Sequence, residues 1–346
     1  MNSRYVKVSR KGVCAVEKRG VFVTRRIPDE GIEVLKKRFE VRVNPEDRQL
    51  TKGEIIRNAE GCFGIVSLLS DPIDRDVLSL KGLKVVSQYA VGYDNIDVVE
   101  ATKRGILITN TPGVLTETCA DYTFGLILSL ARRLVEGDRF TREGRFRGWE
   151  PMLLLGDDVY GKTLGIIGLG RIGKAVAKRA KGFSMNVLAA DAYPDTAFAS
   201  SEGVEIVSTE DIFRRSDFIT LHVPGGPSTK HIVNGQTLSL MKRSAYLINI
   251  ARGICVDEKA LAKALKEGRI AGAALDVYER EPEIEPELLS APNLLLLPHI
   301  ASATRETRTR MAIICCSDMV AAYDKTKVQH PVNPSVLANG MFEWDI

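Results

Sequence analysis

Short apolar runs alternate with segments whose apolar residues recur every three or four positions, and the rhythm persists over most of the chain. The runs at 21–23, 39–43, 64–69, 83–87 and 106–109 have the length and β-branched character of strands. Between them, Asp29 stands where it would cap a helix carrying Ile32, Leu35 and Phe39. Thr51-Lys52-Gly53-Glu54 spells a capping box ahead of Ile55 and Ile56. Residues 116–135 form one long apolar-rich helix, suited either to a subunit interface or to a core, followed by an Arg- and Gly-rich stretch from 136 to 150. The alternation then resumes. The segments 163–167, 186–190, 218–221, 245–250, 270–275 and 294–297 read as strands, Thr209 caps one helix, Asp257 opens another, and a last helix spans 306–324. Apolar strands alternating with helices belong in parallel sheets covered on both faces. The pattern predicts an α/β protein with two doubly wound parallel sheets.

The second half of the pattern carries a phosphate-binding signature. The strand at 163–167 stops at Gly168, and Gly168-Leu169-Gly170-Arg171-Ile172-Gly173 follows as G-x-G-x-x-G. Ile172, Ala175, Val176 and Ala180 then recur at helical spacing, and the next strand ends on Asp191, 18 residues beyond Gly173. Strand, glycine turn, helix, strand and terminal acid form a dinucleotide fingerprint. Gly168 permits the turn, Gly170 lets the backbone approach a pyrophosphate, and Gly173 lets the helix lie close on the sheet. Free N–H groups at the helix start would bind the phosphates. Asp191 would accept hydrogen bonds from the ribose hydroxyls and repel a 2′-phosphate. Ala192-Tyr193 follow it rather than Arg, so NAD is favoured over NADP.

Composition narrows the class. A chain of 346 residues suits about two domains, and 45% hydrophobic with 27% charged residues is ordinary for a soluble globular protein. A net charge of +4 without a long basic run gives no reason to expect nucleic acid. No apolar run reaches the ~18 residues of a membrane span. The cysteines (14, 62, 119, 255, 315 and 316) show no C-x-x-C pair and no His at metal spacing. Reduced thiols in a cytoplasmic protein without a metal site are expected. The first 20 residues carry six Lys/Arg against one Glu and lack a signal-peptide core, which reads as a flexible extension.

In an open parallel sheet, ligands sit beyond the carboxyl ends of the strands. Three segments fall there: His222-Val223-Pro224, Ile250-Ala251-Arg252-Gly253 and Pro298-His299. His231 and His330 lie in polar stretches and read as solvated. His222 and His299 both follow strands, and position does not separate them. Arg252 needs an anion, because a buried unpaired guanidinium is costly. A structural or a substrate carboxylate would serve, and spacing does not choose among Asp257, Asp276, Glu279 and Glu281.

Six segments resemble, in order, the D-isomer-specific 2-hydroxyacid dehydrogenase family: QYAVGYDNID (88–97), TNTPGVLTETCAD (109–121), GLGRIGKAVAKRAKGF (168–183), INIARGICVDEKAL (248–261), GAALDVYEREP (272–282) and PHIASAT (298–304). VFVTRRIP and RGWEPMLLLG are most similar to archaeal-type glyoxylate/hydroxypyruvate reductases. The resemblance implies two Rossmann/flavodoxin-like domains with the active site in the cleft between them. Residues 20–110 and 302–336 would form the substrate domain and 111–301 the NAD domain, with 1–19 an extension and 337–346 a tail. It assigns Arg252, Glu281 and His299 to catalysis, with His299 as the acid. Asp276 would hold the nicotinamide carboxamide, and Val91-Gly92 would offer N–H groups to the substrate carboxylate. Leu68 and Leu69 would line a small pocket, and Trp149 resembles the aromatic that related homodimers insert into the partner's site. Cys119, Ala192, His222, Pro224, Ile250, Ala251 and Ala301 would line the cofactor.

That chemistry suits those residue types. Hydride delivered to a 2-keto carbon builds negative charge on the carbonyl oxygen. A protonated His299 can give it a proton, while Arg252 binds the carboxylate and Glu281 favours the charged imidazole. No metal is required. Several positions depart from the family pattern. Cys119 replaces Thr or Val, which suggests sensitivity to oxidation, and Gly225-Gly226 replaces Leu-Thr, which suggests a looser loop over the cofactor. Val91 stands where phosphite dehydrogenases carry Lys, and SLLSD (67–71) replaces the Arg-containing loop of phosphoglycerate dehydrogenases. The leading expectation is an NAD-linked reductase of a small 2-keto acid. D-3-phosphoglycerate or another D-2-hydroxy acid is the alternative substrate. An NADH-sensing binding protein, like the corepressors built on this fold, is the reading from another class.

Overall fold

The first five strands fall on the first five apolar runs. β1 (Gly20–Val23), β2 (Glu40–Val43), β3 (Gly64–Ser67), β4 (Val85–Gln88) and β5 (Leu107–Thr109) form a parallel sheet in the order β2-β1-β3-β4-β5. β6 (Thr163–Ile167), β7 (Asn186–Ala190), β8 (Val204–Ile206), β9 (Phe218–Leu221), β10 (Tyr246–Asn249), β11 (Gly272–Leu275) and β12 (Leu294–Leu296) form a second parallel sheet, ordered β12-β11-β10-β9-β6-β7-β8. The computed structural model describes residues 18–338; most of the expected N-terminal extension and C-terminal tail lies outside the described residues. The chain divides into two compact units. One runs to Thr111 and resumes at Ala312, and the other is Pro112–Met311. The division falls inside helix Arg305–Tyr323.

The central strands β3, β4, β9 and β10 are buried at every position, whereas edge strand β2 alternates exposed and half-buried residues. In the second unit, alternate side chains of each strand enter different layers. Leu164, Ile166 and Ile248 join one apolar cluster, and Ile167, Leu221 and Leu247 join the other. Helix Thr116–Ala131 packs into the first cluster through Ala120, Phe124 and Ile127, together with Val176 and Ala180 of helix Arg171–Ala180. Strand order reverses between β1 and β3 and between β6 and β9, and loops after those strands are where ligands bind in such sheets.

The Thr51 capping box forms as expected, and Asp257 caps its helix through the Ala260 N–H. Three expectations need correction. Asp29 is the first helical residue, with Pro28 at the cap position. Ser208, not Thr209, is the cap: its Oγ accepts the Asp211 N–H, and Thr209 is the first helical residue. The helix expected over 116–135 ends at Ala131, where Arg133 turns left-handed (φ 50°) before a second helix, Leu134–Arg142. The Arg133 guanidinium holds that break by donating to Glu136 and to the Leu155 carbonyl.

Candidate active site

The glycine loop is shaped by what each Cβ would meet. Gly168 has φ 98°, and a Cβ there would lie 2.7 Å from the His222 backbone. A Cβ on Gly173 would lie 2.1 Å from the Gly168 carbonyl oxygen, so only glycine lets the helix approach. Gly170 faces open space at the N-terminus of helix Arg171–Ala180 and brings no side-chain cap. The Arg171 and Ile172 N–H groups find no acceptor among the described residues. Asp191, at the end of β7, accepts from Leu169 N (2.7 Å) and Tyr193 N (2.8 Å), which fixes its carboxylate at the loop. An open helix start, room at Gly170 and an anchored acid fit a dinucleotide.

His222 leaves β9 beside this loop. Its Nε2 lies 3.0 Å from Thr220 Oγ1, and its Nδ1 is sealed with no hydrogen-bond partner among the described residues. Burial lowers its pKa to about 3, so the ring is neutral.

His299 sits at φ 56°, and its Nδ1 donates to Glu281 Oε2 across 2.9 Å, with 32% and 38% of the two side chains exposed. Glu281 Oε1 accepts from Tyr278 N at 3.0 Å. Burial pushes the Glu281 carboxyl up, but the His299 hydrogen bond and charge, the Tyr278 amide and the Arg252 charge hold it below its ordinary value. Asp276 anchors the turn after His299. Its carboxylate accepts from Ile300 N (2.9 Å), Ala301 N (2.8 Å) and Tyr122 Oη (3.1 Å), while burial raises its pKa against those donors.

Arg252 is placed by Asn249, the last residue of β10. Asn249 Oδ1 accepts from Ala251 N at 3.0 Å, and its Nδ2 donates to Arg252 O at 2.9 Å. Arg252 Nη1 also donates to Ala251 O. Next to it, a Cβ on Gly253 would lie 1.8 Å from the Tyr278 carbonyl carbon, so the missing side chain admits the 278–281 turn. The second unit therefore gathers Arg252, Glu281, His299 and Asp276. The four acids that spacing left equivalent now separate: Asp257 caps a helix, Glu279 pairs with His231, Asp276 holds backbone amides and Glu281 meets His299.

Other expected residues have different surroundings. His231 and His330 are not merely solvated, since each lies 2.8 Å from a carboxylate, Glu279 and Asp318 respectively. Cys119 is buried, and burial, with the Asp276 charge, pushes its thiol up to about 12. Such a thiol forms little thiolate, which argues against the expected sensitivity to oxidation. The Gly225-Gly226 loop is tied down, with Thr229 Oγ1 donating to Pro224 O and Lys230 N to Gly226 O. A Cβ on Gly225 would come 3.1 Å from Arg252 Cγ. Ile250, Ala251 and Ala301 are buried, whereas Ala192 and Pro224 are exposed. Trp149 is 85% exposed. Leu68, Leu69, Val91 and Gly92 belong to the first unit, on the loops after β3 and β4. Sequence reasoning missed Asn249 and Tyr122. Asn249 at a strand end beside Arg252 was the available signal; Tyr122 offered none.

Residues 124–301 match the NAD-binding domain of the D-isomer-specific 2-hydroxyacid dehydrogenases. A glyoxylate reductase of Korarchaeum cryptofilum is 52% identical over 305 residues, 87% of this chain and 92% of that one. A glyoxylate reductase of Thermococcus kodakarensis is 49% identical over 306 residues, with the same coverage. Among solved structures, a Thermus thermophilus protein superposes with a TM-score of 0.86 at 41% identity, covering 90% of this chain and 99% of its own. An NADPH-dependent glyoxylate/hydroxypyruvate reductase of Sinorhizobium meliloti, complexed with NADP and malonate, gives 0.82 at 34% identity, covering 91% and 97%. The chain belongs to the D-isomer-specific 2-hydroxyacid dehydrogenase family and is an oxidoreductase acting on CH–OH donors with a nicotinamide cofactor.

Proposed function

We propose that the chain reduces a small 2-keto acid, glyoxylate or hydroxypyruvate, to the D-2-hydroxy acid with NADH. The observation that carries this reading is the His299–Glu281 pair, 2.9 Å apart in the same unit as the dinucleotide loop. Bound nicotinamide supplies the hydride. With Nδ1 committed to Glu281, His299 keeps Nε2 to pass a proton to the carbonyl oxygen. Ionised Glu281 stabilises the charged ring, and Arg252 takes the substrate carboxylate and polarises the carbonyl. The Val91 and Gly92 N–H groups offer donors to a carboxylate, Leu68 and Leu69 limit the substituent, and Trp149 completes the site in a homodimer. Gly168 to Gly173 hold the pyrophosphate, and Asp276 steadies both the His299 turn and the nicotinamide carboxamide. The names of the Korarchaeum and Thermococcus relatives support the substrate. Asp191 supports NADH, in contrast to the NADPH-dependent Sinorhizobium relative.

Absorbance at the NADH band tests the reading, using glyoxylate, hydroxypyruvate, phosphohydroxypyruvate and pyruvate, each with NADH and NADPH. Rapid turnover of the small acids with NADH is expected. His299→Ala should abolish turnover while NADH still binds. Equal efficiency with NADPH would remove Asp191 as selector, and preference for the phosphorylated acid would move the substrate. Tight NADH binding without turnover of any acid would overturn the reductase reading.

A further inference from the structure

The first unit contains a polar network that neither the cofactor loop nor the acid pair explains. Ser67 and Gln88 are register partners on adjacent strands β3 and β4, so the loops after them leave the sheet side by side. Both residues are fully buried, and Ser67 Oγ donates to Gln88 Oε1 at 2.7 Å. Gln88 Nε2 then donates to Asn95 Oδ1 (2.8 Å) and to Gly92 O (3.2 Å). Asn95 Nδ2 crosses back to the other loop, donating to Leu68 O (3.0 Å) and Asp71 O (2.8 Å). Asp71 Oδ2 accepts from Leu68 N (2.7 Å) and from Thr24 Oγ1 (2.5 Å) after β1. Asn110 Nδ2 holds the Val91 carbonyl at 2.7 Å. The backbone carbonyls of Leu68, Val91 and Gly92 are thus all engaged, while the Val91 and Gly92 N–H groups donate to no acceptor among the described residues.

Two features set this network apart from polar groups satisfied only for the sake of folding. Its bonds end on the backbone of two loops, not within the sheet. Both hydrogens of each amide are spent, so a change at either residue frees one loop from the other. We infer that Gln88 and Asn95 are positioning residues that lock the 68–71 loop to the 91–95 loop, setting the Val91 and Gly92 donors for a carboxylate and limiting the size of 2-keto acid accepted. The inference rests on the proposed substrate reading.

Asn95→Asp tests it most sharply. The shape and the acceptor for Gln88 are kept, but the donor facing the Leu68 and Asp71 carbonyls becomes an oxygen. The KM for glyoxylate should rise about tenfold with kcat within about threefold and NADH affinity unchanged, the signature of lost ground-state and transition-state binding alike. The ratio of kcat/KM for glyoxylate to that for phenylpyruvate should fall about tenfold as the loops separate. Ser67→Ala removes only the bond to Gln88 Oε1 and should move both quantities the same way by about threefold; it carries the test if Asn95→Asp does not fold. Folded variants with lower thermal stability but unchanged KM and selectivity would overturn the inference, since the network would then serve the fold alone. Failure of the unsubstituted protein to reduce any 2-keto acid would show before any substitution, and would overturn the reductase reading together with this one.

Discussion

The two histidines that follow strands in the second unit have different surroundings. His222 has a sealed Nδ1 and a pKa near 3 in the fold, against an ordinary value of 6.5. Between those values the unfolded chain binds a proton at this position and the folded chain does not. Stability therefore rises with pH across the window, by up to about 1.4 kcal/mol for each unit, and is lost on acidification. His222→Gln should flatten that slope in urea denaturation curves recorded from pH 6.5 down to about 4. Parallel profiles for the two proteins would mean that His222 charges inside the fold. His299 instead meets Glu281, whose ionised state is favoured by the ring it contacts. Glu281→Gln keeps the shape and removes the charge. A fall in kcat of about 100-fold, with NADH affinity unchanged in a fluorescence titration, is the expected result. Unchanged kcat would exclude Glu281 from proton transfer.

At the scale of elements, two segments meet because one glycine is absent of side chain. Gly253 follows Arg252, and a Cβ there would lie 1.8 Å from one backbone atom of Tyr278 and 1.9 Å from another. Backbone cannot swing aside as a flexible side chain can. Gly253→Ala should push the Arg252 loop away from the 278–281 turn, costing about 2 kcal/mol or more. Thermal unfolding should register a lower Tm, and kcat/KM should fall at least as far as in Glu281→Gln. A variant with native Tm and activity would show that the turn can shift freely. Strands and the glycine fingerprint were legible in the sequence because their causes are local: apolar runs, and glycines at fixed spacing. The break at Arg133 was not, since it depends on a bond to Leu155 O, 22 residues away. Ser208 and Thr209 are neighbouring hydroxyls, either able to cap, and only backbone geometry selects Ser208. Tyr122 reaches Asp276 across 154 residues, and the Asn95 contacts with Leu68 and Asp71 likewise join separate loops. The catalytic assignments came from family resemblance, because spacing ranked neither the two histidines nor the four acids.

For the whole molecule, the distribution of exposed apolar side chains bears on the proposed homodimer. Leu134, Val135, Phe146, Trp149, Met152, Leu155 and Tyr160 are all exposed, and they fall within one stretch of 27 residues (134 to 160). Scattered exposed apolar residues are normal on a monomer, and a concentration along one stretch is what a covering partner would explain. The homodimer proposed above would cover it. Sedimentation at micromolar concentration should give twice the chain mass. Combining Trp149→Ser with Met152→Ser removes the two most exposed members and should return the monomer. If Trp149 also completes a site in the partner, Trp149→Ser alone should raise the KM for glyoxylate while the dimer persists. Activity per subunit of the unsubstituted protein should then fall on dilution toward the dissociation constant. A fully active monomer at all concentrations would separate catalysis from assembly, leaving this apolar stretch for a different partner.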